Sequence, residues 1–263
     1  MFTELQIYFI VFIYGLCVGS FLNVCIFRLP ESLSIIKPRS SCPNCKTLIK
    51  GYDNIPVLSF LLLKGECRNC KTKISPRYPL TELFTGTMWL FTYMEFGLSI
   101  EFLIYVIFIS TLIVITFIDI DHQIIPDVIS LPGIPVFFIA ALFLPSPSIT
   151  DALIKSVIGI LAGGGSLLLV AWSYELITKN EGMGGGDIKL LAMIGGLVGL
   201  QGILFTIFAA SAIGTIIGLC VMVATRNNMK LAIPFGPFLS AGAVLYLFFG
   251  EEVIRWYLNY SGF

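Results

Sequence analysis

Charge and histidine are what this 263-residue chain has least of. Only 12% of its residues are Asp, Glu, Lys or Arg, about half of the roughly 25% usual in soluble domains. That shortage, with 57% hydrophobic residues and a mean hydropathy of +0.92, excludes an ordinary soluble globule and leaves a multi-span membrane protein. The single histidine, His122, rules out a His-rich metal site. Linkers are nearly missing too, the one short turn being Pro145-Ser-Pro-Ser148, and no internal repeat of spans is visible.

What the chain has instead is a series of apolar runs. About 20 such residues cross a bilayer as a helix. The fold expected is therefore an all-α polytopic membrane protein with about eight transmembrane helices, near 5–27, 79–96, 100–118, 125–144, 153–177, 188–200, 202–224 and 235–250. Only Gly199-Leu-Gln-Gly202 separates the sixth run from the seventh, so seven spans remain the alternative. Glycines four apart (Gly15 and Gly19, Gly159 and Gly163, Gly195 and Gly199, Gly214 and Gly218) should let helix backbones approach closely.

Acidic and basic residues cancel at sixteen each, but locally they do not. From Arg28 to Arg77 there are ten basic residues against Glu31, Asp53 and Glu66. By the positive-inside rule this loop is cytoplasmic. The first run carries Glu4 ahead of it and its basic residues behind it, which argues against a cleaved signal and for a first transmembrane helix with its N-terminus outside. Alternation from there puts 28–78, 119–124, 178–187 and 225–234 inside, with Lys179, Lys189, Arg226 and Lys230, and leaves only Lys155 and Arg255 outside. Three parts follow: a first transmembrane helix at 1–27, a cytoplasmic loop at 28–78, and a membrane core at 79–263.

The loop holds Cys42-Pro-Asn-Cys45 and Cys67-Arg-Asn-Cys70. A CxxC turn aims two thiolates at one ion, and two turns complete a tetrahedral site that adds folding energy to a segment too small for its own core. A cytoplasmic setting disfavours disulfides, and no βαβ pattern supports a redox pair. Structural zinc on Cys42, Cys45, Cys67 and Cys70 is the reading. Cys17, Cys25 and Cys220 lie in apolar runs and read as small packing residues.

An ionisable residue at membrane depth is by default functional. Asp119, Asp121, Asp127 and Asp187 are the candidates. Asp127 follows Pro126 and suits a helix start. Asp119 and Asp121 point about 200° apart on a helix, so one of them can face Asp187. Asp119 ends its apolar run and should be the better shielded, with Asp121 facing water or a basic neighbour; on the residues alone the choice stays open. Gly182, Gly184, Gly185 and Gly186 before Asp187 give backbone freedom and let a bound chain come close. A phosphate cradle is excluded, since no strand precedes the run and no Gly-Lys-Ser/Thr ends it. Two carboxylates sharing a desolvated site titrate as a pair. One can take a proton from water while the other polarises a carbonyl, which is peptide hydrolysis without a nucleophilic side chain or a catalytic metal. His122, in a polar turn, reads as surface.

These residues resemble those of the type IV prepilin peptidases, membrane aspartic proteases of the GxGD kind. Gly184-Gly-Gly-Asp187 matches the signature. So, in order, do Gly19-Ser-Phe-Leu-Asn-Val24 with Arg28-Leu-Pro30, the two knuckles, Pro76-Arg-Tyr-Pro-Leu-Thr-Glu-Leu83, Asp119 to Asp127, and Pro234-Phe-Gly-Pro237. The resemblance implies Asp119 and Asp187 as the catalytic pair. It implies prepilin and pseudopilin substrates of type IV pilus and type II secretion systems, cut on the cytoplasmic side after a glycine, at the bacterial inner membrane. It further implies N-methylation of the new terminus with S-adenosylmethionine, in keeping with the intact cysteine set. Gly184, Gly185 and Gly186 would then bind substrate. Glu82 would help to receive it or pair with Arg77 or loop lysines, and Ser20 and Asn23 would join helices. Membrane lipid is an expected partner and nucleic acid is not. From another class, the competing reading is an ion-binding transport or scaffold protein whose zinc loop docks a partner.

Overall fold

In the computed structural model the residues described are 3–179, 184–225 and 233–261. The apolar runs are helices because a backbone in a bilayer must satisfy its own N–H and C=O groups. They are α1 (Glu4–Arg28), α3 (Arg77–Phe96), α4 (Ile100–His122), α5 (Asp127–Ala141), α6 (Ile149–Thr178), α7 (Gly185–Thr225) and α8 (Gly236–Ser261), with a short α2 (Leu58–Leu62) in the loop after α1. Among the described residues the only β pairing is two isolated bridges, Ser41 with Leu48 and Glu66 with Lys73. Among the described residues five helices, α1, α4, α6, α7 and α8, are long and apolar enough to cross a membrane, and α5 is a shorter apolar helix.

Gly199 divides the long apolar stretch that held the sixth and seventh expected spans. Its φ of 73° and ψ of −171° break α7 into helical stretches 185–198 and 200–225, a conformation open to glycine and closed to most side chains. Other ends differ by a few residues from the expected ones. Pro126 stands outside α5 as its cap, so the helix starts at Asp127. The last helix continues past 250 to Ser261, since Glu251, Glu252 and Arg255, which closed the apolar run, do not break a helix.

The chain divides into two compact units, Met1–Val114 and Ile115–Phe263. In the first, α1 packs on α3 at glycines: a Cβ on Gly19 would lie 2.7 Å from Glu82 Cα. Helix α3 is polar inside and apolar outside. Thr81, Thr85 and Thr92 are fully buried while Leu80, Leu83, Phe84, Phe91 and Met94 are exposed. The three hydroxyls bond the carbonyls of Arg77, Thr81 and Met88, one turn back. Such inversion suits a helix whose exposed side meets lipid. Asn23 Nδ2 donates to Tyr78 O at 3.1 Å, the interhelical bond expected of it.

In the second unit α7 is central, with α5, α6 and α8 packed on it. Two of the expected glycine pairs meet each other there. A Cβ on Gly159 of α6 would overlap the carbonyl oxygen of Gly195 on α7. By contrast, a Cβ on Gly218 would meet nothing closer than 3.7 Å among the described residues. Of the cysteines read as packing residues, Cys25 is buried, whereas Cys17 and Cys220 are exposed on their helices.

Candidate active site and candidate metal centre

Helix α4 runs through both Asp119 and Asp121, so the two point to different sides. Asp119 is 5% exposed; Asp121 and His122 are exposed. The Asp119 carboxylate accepts the backbone N–H of Gly236 at 3.0 Å, at the start of α8. A Cβ there would lie 2.7 Å from Asp119 Oδ2, so any larger residue would push on the carboxylate.

Asp187 is half-buried in the first turn of α7, its N–H bonded to Gly184 O at 3.2 Å. Its charge and that of Asp119 lie within electrostatic reach of each other. Ile125 links their surroundings: a Cβ on Gly186 would be 2.9 Å from Ile125 Cβ, and one on Gly236 3.3 Å from Ile125 Cδ1. Among the described residues, nothing lies within 4 Å of where a Cβ on Gly184 or Gly185 would stand. Glu181, Gly182 and Met183 lie outside the described residues, as do Arg226 and Lys230. Asp127 starts α5, as its place after Pro126 implies, and its Oδ1 is also 2.7 Å from Lys189 Nζ. That pair fastens the start of α5 to the first turn of α7. Of the two carboxylates of Asp119 and Asp187, one is buried and the other stands at a helix N-terminus, and groups of this kind can take up and give back a proton.

The four cysteines gather in the first unit, their sulfurs all within 4.8 Å of one another. Cys42 Sγ is 3.7 Å from Cys70 Sγ and Cys45 Sγ 4.0 Å from Cys67 Sγ. A tetrahedral zinc with bonds of about 2.3 Å sets its sulfurs about 3.8 Å apart, so the donors fit that ion.

The knuckles are copies: Cys-Pro-Asn-Cys-Lys-Thr at 42–47 and Cys-Arg-Asn-Cys-Lys-Thr at 67–72. In each the first Cys N–H bonds the Thr carbonyl, and the Lys, at φ 56° or 60°, bonds back to the first Cys. They also interlock, because Asn44 Nδ2 donates to Thr72 Oγ1 at 2.7 Å and Asn69 Nδ2 to Thr47 Oγ1 at 3.0 Å. Hydroxyls in turn sit 3.4 Å from Cys45 Sγ (Thr47) and 3.3 Å from Cys70 Sγ (Thr72). The Thr47 hydroxyl foremost, with Asn69, pulls the Cys45 thiol down to about 5, and Thr72 holds Cys70 at about 7. The spacing of cysteines alone misses these four residues; the repeated hexapeptide is the signal that finds them.

Glu82 is buried, 8% exposed. Its partners are the N–H of Val57, donated at 2.8 Å, and the hydroxyl of Ser20. It thus holds the loop by a backbone group, in place of the arginine or lysine that its charge suggested.

Comparison with known proteins agrees with this division. The bacterial peptidase A24 N-terminal domain matches residues 13–96 and the type IV leader peptidase family matches 106–219. A prepilin leader peptidase/N-methyltransferase of Pseudomonas aeruginosa is 36% identical over 272 residues, covering 95% of this chain and 92% of that one. A protein of the same name from Bacillus subtilis is 38% identical over 250 residues, with 95% and 97% covered. One from Legionella pneumophila is 32% identical over 280 residues, with 96% and 95% covered. No solved structure matches. With two family domains matched in order and relatives aligned over nearly their whole length, the chain belongs to the type IV leader peptidase family.

Proposed function

We propose that this protein is a membrane aspartic endopeptidase that removes the leader of type IV prepilins or pseudopilins, with Asp119 and Asp187 activating water, and that it N-methylates the new terminus. The observation that carries the peptidase half is the placing of Asp119: buried, fixed by a backbone N–H, and within electrostatic reach of Asp187. One carboxylate takes a proton from water as it attacks the scissile carbonyl; the other gives a proton to the developing oxyanion. Gly184, Gly185 and Gly186, two of them with no close neighbour among the described residues, let an extended substrate approach the start of α7. Glu82 acts in this reading through the loop it holds.

The loop 28–78 is cytoplasmic, beside a first transmembrane helix at 1–27 and a peptidase core at 79–263, and the protein lies in the bacterial inner membrane with its N-terminus outside. Its ten basic residues support that orientation. Zinc, held by Cys42, Cys45, Cys67 and Cys70 with no position open, stabilises the loop's fold. The methylating half rests on the relatives' names and on the intact cysteine set.

Purified protein incubated with a prepilin in detergent tests this proposal. Mass spectrometry should find a leader-free pilin cut after the glycine. Uncut prepilin beside folded, zinc-loaded protein would instead favour a scaffold or transport role.

A further inference from the structure

The loop between α1 and α3 contains an apolar run, Ile55 to Leu63, in which Ser59 is the only polar residue. It serves neither the cysteine site nor the carboxylates. A soluble loop would turn such residues inward. Here Leu61 is 65% exposed and Leu62 72%, with Ile55 and Leu58 also exposed, and exposed Lys64 follows directly.

The start of this run is held at a definite depth. Val57 has φ 60° and ψ −49°, a conformation that a β-branched residue rarely adopts unless its surroundings impose it. In that conformation its N–H is held by Glu82 of α3, which accepts it at 2.8 Å. Glu82 is level with Gly19 on α1, where the two backbones touch. Gly19 lies nine residues, about 13 Å, along α1 from its end at Arg28. A polar headgroup zone is about 5–8 Å deep on each side of a bilayer. The glutamate thus brings the start of α2 down beside a stretch of α1 whose Phe21 and Phe27 are themselves exposed to the surroundings of the helix.

We propose that α2 lies in the surface of an anionic bilayer, with Leu58, Leu61 and Leu62 among the upper acyl chains and Lys64 at the lipid phosphates. An apolar face next to a cation is the pattern that binds such a surface, and the excess of basic residues in the same loop matches its charge. The cysteine site is then anchored to the membrane on one side through α2 and on the other through α1 and α3. This inference requires α1 to span a membrane and is independent of the peptidase reading; a chain that cleaves nothing would behave the same way.

The test is a photocrosslinking amino acid, p-benzoylphenylalanine, placed separately at 61 and at 62 in the full-length protein. The protein is reconstituted in nanodiscs of phosphatidylcholine and phosphatidylglycerol, with zinc content checked as evidence of folding. On irradiation, mass spectrometry should find phospholipid adducts at both positions, in lower yield when phosphatidylglycerol is left out. Adducts only to added prepilin would overturn the proposal in favour of a substrate-docking face. Adducts to neither lipid nor prepilin would place α2 in water and overturn it as well.

Discussion

The backbone N–H of Gly236 donates to Asp119 Oδ2 over 3.0 Å in a buried setting, joining residues 117 apart in the chain. The bond aims one oxygen of the carboxylate, and the missing Cβ leaves the room for it. Gly236→Ala would set a methyl group 2.7 Å from that oxygen. Displacing a catalytic group by about 1 Å can cost about 10²-fold in rate. A fall of that order in kcat is therefore predicted for Gly236→Ala, with KM and membrane insertion little changed. Equal turnover of variant and wild type would mean that the contact does not position Asp119.

For the cysteine loop, elemental analysis should find about one zinc per chain, lost in Cys42→Ser or Cys67→Ser. The crossed Asn44–Thr72 and Asn69–Thr47 bonds give a second, finer expectation. Residues that orient metal ligands typically matter about 10–100-fold in affinity. Asn44→Ala and Asn69→Ala should each load zinc but release it to a chelator faster by a factor in that range, and by similar factors, since the knuckles are copies. Release at the wild-type rate would make the crossed bonds incidental.

Acid should loosen the same loop through a different pair. The Arg68 guanidinium, bonded to both oxygens of Asp53, holds the Asp53 carboxyl below its usual range. A depressed carboxyl contributes stability above the unfolded value of about 3.9 and loses it as pH falls through the folded value. Wild type should therefore resist limited proteolysis of the loop better than Asp53→Asn at neutral pH, and the difference should shrink as pH falls below about 3.9 and vanish only below the lower folded value. A difference independent of pH would show that Asp53 acts by packing and not by charge.

Much of this architecture was legible before any coordinates, and for definite reasons. A membrane helix must be apolar for its whole length, so the runs report it directly. The break at Gly199 was legible because glycine is the residue that tolerates its φ of 73°. Helix phase showed that only one of Asp119 and Asp121 can face Asp187; the residues alone left the choice open, and the family resemblance pointed to Asp119. Contacts made by backbone groups were not legible. A bond from the Gly236 N–H or from the Val57 N–H leaves no mark on residue type, so neither the seat of Asp119 nor the partner of Glu82 could be read. The Lys189–Asp127 pair was missed because both residues already had sufficient readings, one as a basic charge on the cytoplasmic side and the other as the first acid of α5.

The most direct measurement is prepilin cleavage by Asp119→Asn and Asp187→Asn, each purified from membranes in the inserted, zinc-loaded form. Amides of nearly the same shape keep the packing but neither accept nor give the proton. Each substitution alone should abolish leader removal, with Asp121→Asn close to wild type. Leader removal retained in either variant, or lost in Asp121→Asn instead, would contradict the pairing of Asp119 with Asp187 as the water-activating centre.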